Sequence, residues 1–105
     1  MIVYVSGPYS KGDVGENIRR ACLAGDELLE KGYIPFIPHL SHLYHLISPK
    51  PWAMWLKLDL EYLSFCHAVL RLPGESTGAD IEVKQAKEWF IPVYYSVSEL
   101  EVEKG

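Results

Sequence analysis

Residues 68–90, AVLRLPGESTGADIEVKQAKEWF, decide the fold, because they contain a strand, a tight loop and a helix in direct succession. Residues 68–72 have the length and the apolar character of a buried strand. Residues 73–77 carry the proline, glycine and hydroxyl side chains that are typical of a tight loop. Thr77 and Asp80 resemble a capping box, which predicts a helix from there to Phe90.

Glu82 lies where a charged residue is not expected. At about 100° per residue, it shares one face of the predicted helix with apolar residues only: Ala79, Val83, Ala86, Trp89 and Phe90. An ionised carboxylate on a core face is strongly destabilising unless it is paired, hydrogen-bonded or next to a wet cleft. The placement therefore predicts that this helix forms the wall of a pocket.

The helix predicted at residues 52–66 also carries an acidic residue on its apolar face. Asp59 falls near the middle of its apolar stripe, whereas Glu61 points the opposite way. The stripe consists of Trp52, Trp55, Leu56, Leu60, Tyr62, Leu63 and Cys66. Asp59 is therefore a second candidate for a pocket wall.

The rest of the chain continues the alternation of strands and helices. The pattern predicts strands at 2–6, 33–37 and 92–95 and helices at 13–31 and 97–103. Pro35 places the second strand at a sheet edge, since proline cannot complete a central ladder. Residues 39–50 show no clean period and are predicted to form a long, partly ordered loop.

This alternation favours an α/β fold with a parallel sheet and right-handed crossovers. We predict one domain, residues 1–105, with a three-layer Rossmann-like or flavodoxin-like fold. Its sheet would have four parallel strands in the order 2-1-3-4, with helices on both faces. Ligands bind such sheets at the carboxyl ends of the strands, where the strand order reverses. The crevice is therefore expected between the loops that follow Ser6 and Leu72.

Both of these loops are rich in glycine and hydroxyl side chains, and each opens a helix. Amides at a helix N-terminus attract anions, so residues 76–78 are a candidate phosphate cradle. The pattern is neither a P-loop nor G-x-G-x-x-G. The substrate-binding candidates in the two loops are Ser6, Gly7, Pro8, Ser76, Thr77 and Gly78.

Composition excludes several classes of function. With 10 basic and 14 acidic residues, a formal net charge of -4 and no basic run, the chain lacks the electrostatic footprint of a polymeric nucleic-acid binder. Cys22 and Cys66 lack metal-ligand spacing, which favours a reduced, cytoplasmic setting. We expect no signal peptide and no membrane insertion, because residues 1–6 look like a strand and no apolar run approaches about 18 residues.

Three motifs together resemble the nucleoside 2-deoxyribosyltransferase superfamily. They are Tyr4-Val5-Ser6-Gly7-Pro8, Leu58-Asp59-Leu60 and Ser76-Thr77-Gly78-Ala79-Asp80-Ile81-Glu82. The resemblance spans roughly residues 1–95 and includes small bacterial and phage relatives. It implies that Glu82 is the nucleophile at the anomeric carbon, that Asp59 assists the leaving base, and that Tyr4 positions the nucleophile.

The residue six positions before the glutamate distinguishes two branches of that superfamily. Transferases that act on free nucleosides have an aspartate there, whereas the 2'-deoxynucleoside 5'-monophosphate N-glycosidase branch has a serine. This chain has Ser76. A hydroxyl donates to a phosphate that a carboxylate would repel, so the residue favours a nucleotide substrate. Lys11, Arg19 and Arg20 are further candidates for phosphate contact, because Pro8-Tyr9-Ser10-Lys11 replaces the glycine- and arginine-rich loop of the mammalian monophosphate hydrolase.

The resulting hypothesis is an enzyme that cleaves the N-glycosidic bond of a nucleotide by a retaining mechanism, with no metal and no organic cofactor. Two alternatives stay open. The first is a nucleoside deoxyribosyltransferase, in which a second base replaces water. The second is a non-catalytic nucleotide-binding module.

Each candidate residue also has a structural alternative. Glu82 is either a nucleophile or half of an ion pair with Arg20 or Lys11, and Asp59 is either an acid or a cap for residues 39–50. Tyr4 on a buried strand is either a positioning residue or part of the core.

Two further groups of side chains have alternatives of the same kind. Asn17 suits either a ligand contact or a cap for the loop before it. For His39, His42 and His45, stacking on a base is favoured over metal binding. Trp52 and Trp55 are further candidates for stacking on a base. The many aromatic residues predict a homodimer or higher assembly, with residues 39–66 near the interface.

Overall fold

The computed structural model describes residues 1–104 of the chain. The strands are β1 (Ile2–Ser6), β2 (Ile34–Phe36), β3 (Ala68–Arg71) and β4 (Val93–Tyr94). The helices are α1 (Val14–Glu30), α2 (His42–Ile47), α3 (Trp52–Leu63), α4 (Thr77–Glu88) and α5 (Val97–Lys104), and a 3-10 turn (Pro38–Ser41) precedes α2.

The four strands form one parallel sheet in the order β2-β1-β3-β4, as predicted. Pro35 lies on the edge strand β2, where its missing N–H leaves no gap in a central ladder. In the register of β1 and β3, Tyr4 pairs with Val69 and Ser6 with Arg71. These four side chains therefore share one face of the sheet.

The two faces of the sheet bury two separate apolar clusters, which confirms the predicted layers. Side chains of α1 and α5, such as Leu28 and Leu100, pack on the face that carries Val3 and Val5. On the other face, Tyr4 and Val69 pack under side chains of α3 and α4. The second face is the one that positions the candidate carboxylates. No helix within residues 1–104 is long and apolar enough to cross a membrane.

The ends of α4 differ from the prediction. The predicted capping box of Thr77 and Asp80 is wrong: Ser76 is the N-cap and accepts a hydrogen bond from the Ala79 amide at 3.1 Å. The Asp80 carboxylate instead accepts a hydrogen bond from Arg71. The helix ends at Glu88, so Phe90 leaves the apolar face, adopts a φ of 60° and is 94% exposed.

Residues 39–50 are more ordered than predicted, because the segment forms the 3-10 turn and α2. Side-chain hydrogen bonds that no periodic sequence pattern reveals stabilise this segment. His39 Nε2 donates to the Pro8 carbonyl at 3.0 Å, and His42 Nδ1 is hydrogen-bonded to the Tyr9 hydroxyl.

Candidate active site

A cavity of about 500 Å³ lies at the carboxyl ends of β1 and β3, the end of the sheet that the topology predicts for a ligand. Loops after both strands form part of its wall, and α3 and α4 form another part. Its lining includes the carboxylates of Asp59 and Glu82. It also includes Gly7, Tyr9, Lys11, His39, His45, Lys50, Trp52, Trp55, Ser76, Thr77 and Gly78.

Glu82 is 6% exposed and is held by two hydroxyl groups from β1. Tyr4 donates to Oε2 at 2.6 Å, and Ser6 donates to Oε1 at 2.8 Å. The alternating geometry of a strand places residues four and six on the same face, under α4. Both carboxylate oxygens are thus oriented by short hydrogen bonds, as a nucleophile with a fixed direction of attack requires.

Two opposing effects act on the charge of Glu82. Burial raises the pKa of this carboxyl above its usual value, while the hydrogen bonds from Tyr4 and Ser6 and the positive charge of Arg71 oppose that rise. Burial, together with the negative charges of Glu82 and Asp59, also raises the pKa of Tyr4 well above its usual value. Tyr4 therefore remains a hydrogen-bond donor at any physiological pH.

The ion pairs that were the structural alternative for Glu82 do not form. Lys11 pairs with Glu75 at 2.7 Å, and Arg20 pairs with Glu16 at 3.4 Å. Within residues 1–104, no lysine or arginine nitrogen comes within salt-bridge distance of Glu82.

Asp59 shares the cavity with Glu82 but has a different environment. Burial, with a smaller contribution from the negative charge of Glu82, raises the pKa of Asp59 to about 7. No donor among the described residues hydrogen-bonds to its carboxylate, so the structure does not show it capping residues 39–50. The cavity thus holds a buried glutamate and an aspartate whose pKa lies near neutrality, an arrangement that suits acid–base chemistry.

Residues 1–96 match the model of a family described as a domain of unknown function, DUF7768. The chain belongs to this family. No curated protein has a sequence that matches the chain. Among solved structures, a 2-deoxyribosyltransferase from the psychrotolerant bacterium Bacillus psychrosaccharolyticus has the same fold, with a TM-score of 0.67 and 18% identity over 89% of this chain and 69% of that one.

The predicted phosphate cradle lies at the cavity. Ser76, Thr77 and Gly78 all line it, at the N-terminus of α4. Lys11 reaches the same cavity from the loop after β1. Arg19 and Arg20 do not, because both pair with Glu16 on an exposed face of α1.

Asn17 and Pro8 are not among the residues that line the cavity. The amide of Asn17 donates to the carbonyls of Tyr9 and Lys11, both at 2.8 Å. Pro8 and Asn17 line a separate, smaller hollow. The structure thus places Asn17 where it caps and shapes the loop, while Gly7 reaches the cavity itself.

Sequence reasoning did not single out Tyr9 and Lys50 as lining residues, although both line the cavity. Tyr9 had one usable signal, since it lies three residues after β1, at the carboxyl edge of the sheet. Lys50 had none, because it reaches the cavity through a cation–π contact with Tyr44, 4.4 Å from the ring centre. Contacts of this kind depend on how α2 and α3 pack.

The three histidines have separate partners. Burial lowers the pKa of His39, and its Nδ1 has no hydrogen-bond partner among the described residues. His45 Nδ1 accepts from Trp55 Nε1 at 2.7 Å. Within residues 1–104, no group of three or more His, Cys, Asp or Glu side chains is arranged to hold a metal ion.

Proposed function

We propose that the protein cleaves the N-glycosidic bond of a nucleotide, most favourably a 2'-deoxynucleoside 5'-monophosphate, with retention of configuration. One observation carries the proposal: a buried glutamate, oriented by two hydroxyl donors, shares a cavity with an aspartate whose pKa is raised to about 7. The resemblance of the sequence motifs to the deoxyribosyltransferase superfamily and the shared fold support it.

In the proposed mechanism, an oxygen of ionised Glu82 attacks C1' of the sugar. The bond between C1' and the base nitrogen breaks, and protonated Asp59 gives its proton to the departing base. Asp59, now ionised, then takes a proton from a water molecule that attacks C1' and releases Glu82. Tyr4 and Ser6 hold the nucleophile throughout, and neither step requires a metal or an organic cofactor.

The cavity also offers a place for each part of a nucleotide. Thr77 and Gly78 at the N-terminus of α4, with Lys11 opposite, suit a 5'-phosphate. The indole rings of Trp52 and Trp55 line the same cavity and suit a stacked base. The cavity volume of about 500 Å³ is within the range of small-molecule sites.

The test is a screen for released base. Purified protein is incubated separately with deoxynucleoside monophosphates, ribonucleoside monophosphates, free nucleosides and NAD, and free base is quantified by chromatography. Base release that is fastest from a deoxynucleoside monophosphate supports the proposal. Tight binding without release of base from any of them would instead identify a non-catalytic nucleotide-binding module.

A second candidate function, deoxyribosyl transfer, is favoured by the fold that the chain shares with a 2-deoxyribosyltransferase. The two reactions share the glycosyl-enzyme intermediate and differ in the acceptor, water or a second base. Adding a labelled acceptor base to the screen separates them. Label in a new nucleoside or nucleotide indicates transfer, and free sugar phosphate indicates hydrolysis.

Ser76→Asp is expected to shift preference away from monophosphates. Aspartate is as good an N-cap as serine, so α4 is retained, but its charge would repel a 5'-phosphate. We expect kcat/KM for a monophosphate to fall roughly 10- to 100-fold relative to the free nucleoside, since like charges at close range cost several kcal/mol at most interfaces. Steady-state kinetics on both substrates measures this ratio. Ser76→Asn, a neutral cap, is the matched control, and an equal loss in both variants would contradict the phosphate assignment.

We also propose that the chain forms a homodimer through α2 and α3. The large apolar side chains that these helices leave at least about half exposed are Leu43, Tyr44, Leu46, Ile47, Trp52, Met54 and Tyr62. Large apolar side chains left exposed on two successive helices are typical of an interface. Light scattering at micromolar concentration should give twice the chain mass, and Ile47→Asp should lower it. A monomeric wild-type mass would refute the proposal.

A further inference from the structure

Arg71 is a buried cation, and it is the one charged residue of the predicted buried strand 68–72. It is the last residue of β3, and it is 9% exposed. A buried guanidinium requires partners for its donors, and leaving it unpaired is strongly destabilising. The hydrogen-bond partners of the guanidinium therefore indicate its structural role.

The partners of Arg71 lie in the loop that leads to α4. Nη1 donates to the Leu72 carbonyl, and Nη2 donates to the Gly74 carbonyl at 2.9 Å and to Asp80 Oδ1 at 3.1 Å. One planar group thus joins the start of the loop, its turn and the first turn of the helix. The rigid fork of arginine suits such a bridge, whereas a lysine ammonium does not reproduce it.

The loop that Arg71 holds is tightly packed against the loop after β1. Gly74 has a φ of 115°, and a Cβ at this position would lie 2.8 Å from Pro8 Cγ. Glycine at this position therefore lets the loop pass close to Pro8, and the same loop leads to residues 76–78 at the cavity. Arg71 holds this loop through its three hydrogen bonds, and it is not among the described residues that line the cavity.

Arg71 also stands on the face of the sheet that carries the nucleophile. It pairs in register with Ser6, whose hydroxyl donates to Glu82. Its ion-pair partner, Asp80, has a side chain that is 73% exposed and is therefore screened by water. Much of the guanidinium charge thus remains unneutralised, on the same face of the sheet as Ser6, the residue that donates to the buried carboxylate.

We propose that Arg71 is a positioning residue for the proposed reaction: its guanidinium fixes the substrate-binding loop 72–78 and supplies the positive charge that acts on Glu82. It makes no contact with substrate. The charged or titratable groups that act on Glu82 from the surrounding elements are Tyr4 of β1, Arg71 of β3 and Asp59 of α3. Of these, Arg71 carries the positive charge.

The charge part of the proposal is tested without any substrate. In protein labelled with ¹³C at the glutamate carboxyl carbons, the Glu82 signal is assigned by its loss in Glu82→Gln and titrated by NMR. Arg71→Gln, which keeps an amide donor but loses the charge, should move the Glu82 midpoint to higher pH. Arg71→Lys, which keeps the charge, should leave it close to wild type. An unmoved midpoint in Arg71→Gln would overturn this part.

The loop part is tested kinetically and rests on the proposed function. Arg71→Lys should raise KM by up to about 100-fold through misplacement of the loop, with kcat less affected. Wild-type KM in Arg71→Lys would overturn the loop role, and this variant decides it even if Arg71→Gln does not fold. A wild-type protein that releases no base would refute the proposed function, and the NMR titration would still decide the role of Arg71.

Discussion

Glu82→Gln is expected to lose nearly all base release, on the order of 10⁴-fold or more, while the protein remains folded. The amide has the shape of the carboxylate but is a very poor nucleophile. The loss should appear in kcat, since the substrate contacts of the cavity are unchanged. Initial rates of base release over a pH range measure it, together with a mass-spectrometric search for the glycosyl-enzyme intermediate, which this variant should not form.

The stability of the same variant separates a nucleophile from a structural carboxylate. Tyr4 and Ser6 can accept as well as donate, so the amide can keep a hydrogen bond to each of them. Burial raises the pKa of Glu82, which means that its ionised form destabilises the fold. We therefore expect a Tm at or above wild type at neutral pH, with the gain shrinking as acid protonates Glu82 in the wild type.

A matched control lies on the same helix. Glu88 is exposed, and Glu88→Gln should leave both activity and Tm unchanged. Full activity in Glu82→Gln would end the nucleophile hypothesis. A loss of activity that only follows a loss of folding, as the loss of the buried hydrogen bonds to Tyr4 and Ser6 would produce, would favour the structural role instead.

The fold was predictable because its signals are local and periodic. Strands such as β1 are short, largely apolar runs, α1 begins at the Asp13 cap, and glycine and proline mark the turns. The same period placed Asp59 and Glu82 on core-facing stripes, where a charge is out of place. A charged residue at a core-facing position is thus the sequence feature that points most directly to the cavity.

The remaining features of the site depend on long-range packing and have no period. The Ser6 hydroxyl meets Glu82 across 76 residues, and the Pro8 carbonyl meets His39 across 31. Such contacts are set by how the loops close over the sheet. For the same reason, the sequence shows Arg71 only as a charge at the end of a strand, while the structure shows a bridge of three hydrogen bonds.

The two carboxylates of the cavity have different surroundings. Glu82 is deeply buried but receives two hydroxyl hydrogen bonds, which favour its charged form. Asp59 receives no such bond from the described residues, and the charge of Glu82 adds to the effect of its burial. The negative charge of Glu82 thus favours the protonated form of Asp59, as the proposed two-carboxylate mechanism requires.

Asp59→Asn should therefore lower kcat/KM by about 10²- to 10³-fold, because the base would leave without a proton donor. In the wild type, with the pKa of Asp59 raised to about 7, kcat/KM should fall as pH rises through 7 and the acid is lost. The variant should lose this limb of the pH profile. The remaining activity should be greatest with substrates whose bases leave readily without protonation.

The pH dependence of stability gives an independent measurement on the same variant. The pKa of Asp59 is higher in the folded state than in the unfolded one, so the folded protein binds the extra proton. This contribution is fully present below an unfolded pKa of about 4, and it is lost as pH rises through about 7. The decline of Tm between these pH values should be shallower in Asp59→Asn than in wild type.

Glu61→Gln, which alters an exposed carboxylate on the same helix, should retain both the kinetic limb and the full decline. If Asp59→Asn keeps the wild-type limb near pH 7, another group is the acid, and the assignment of Asp59 is wrong.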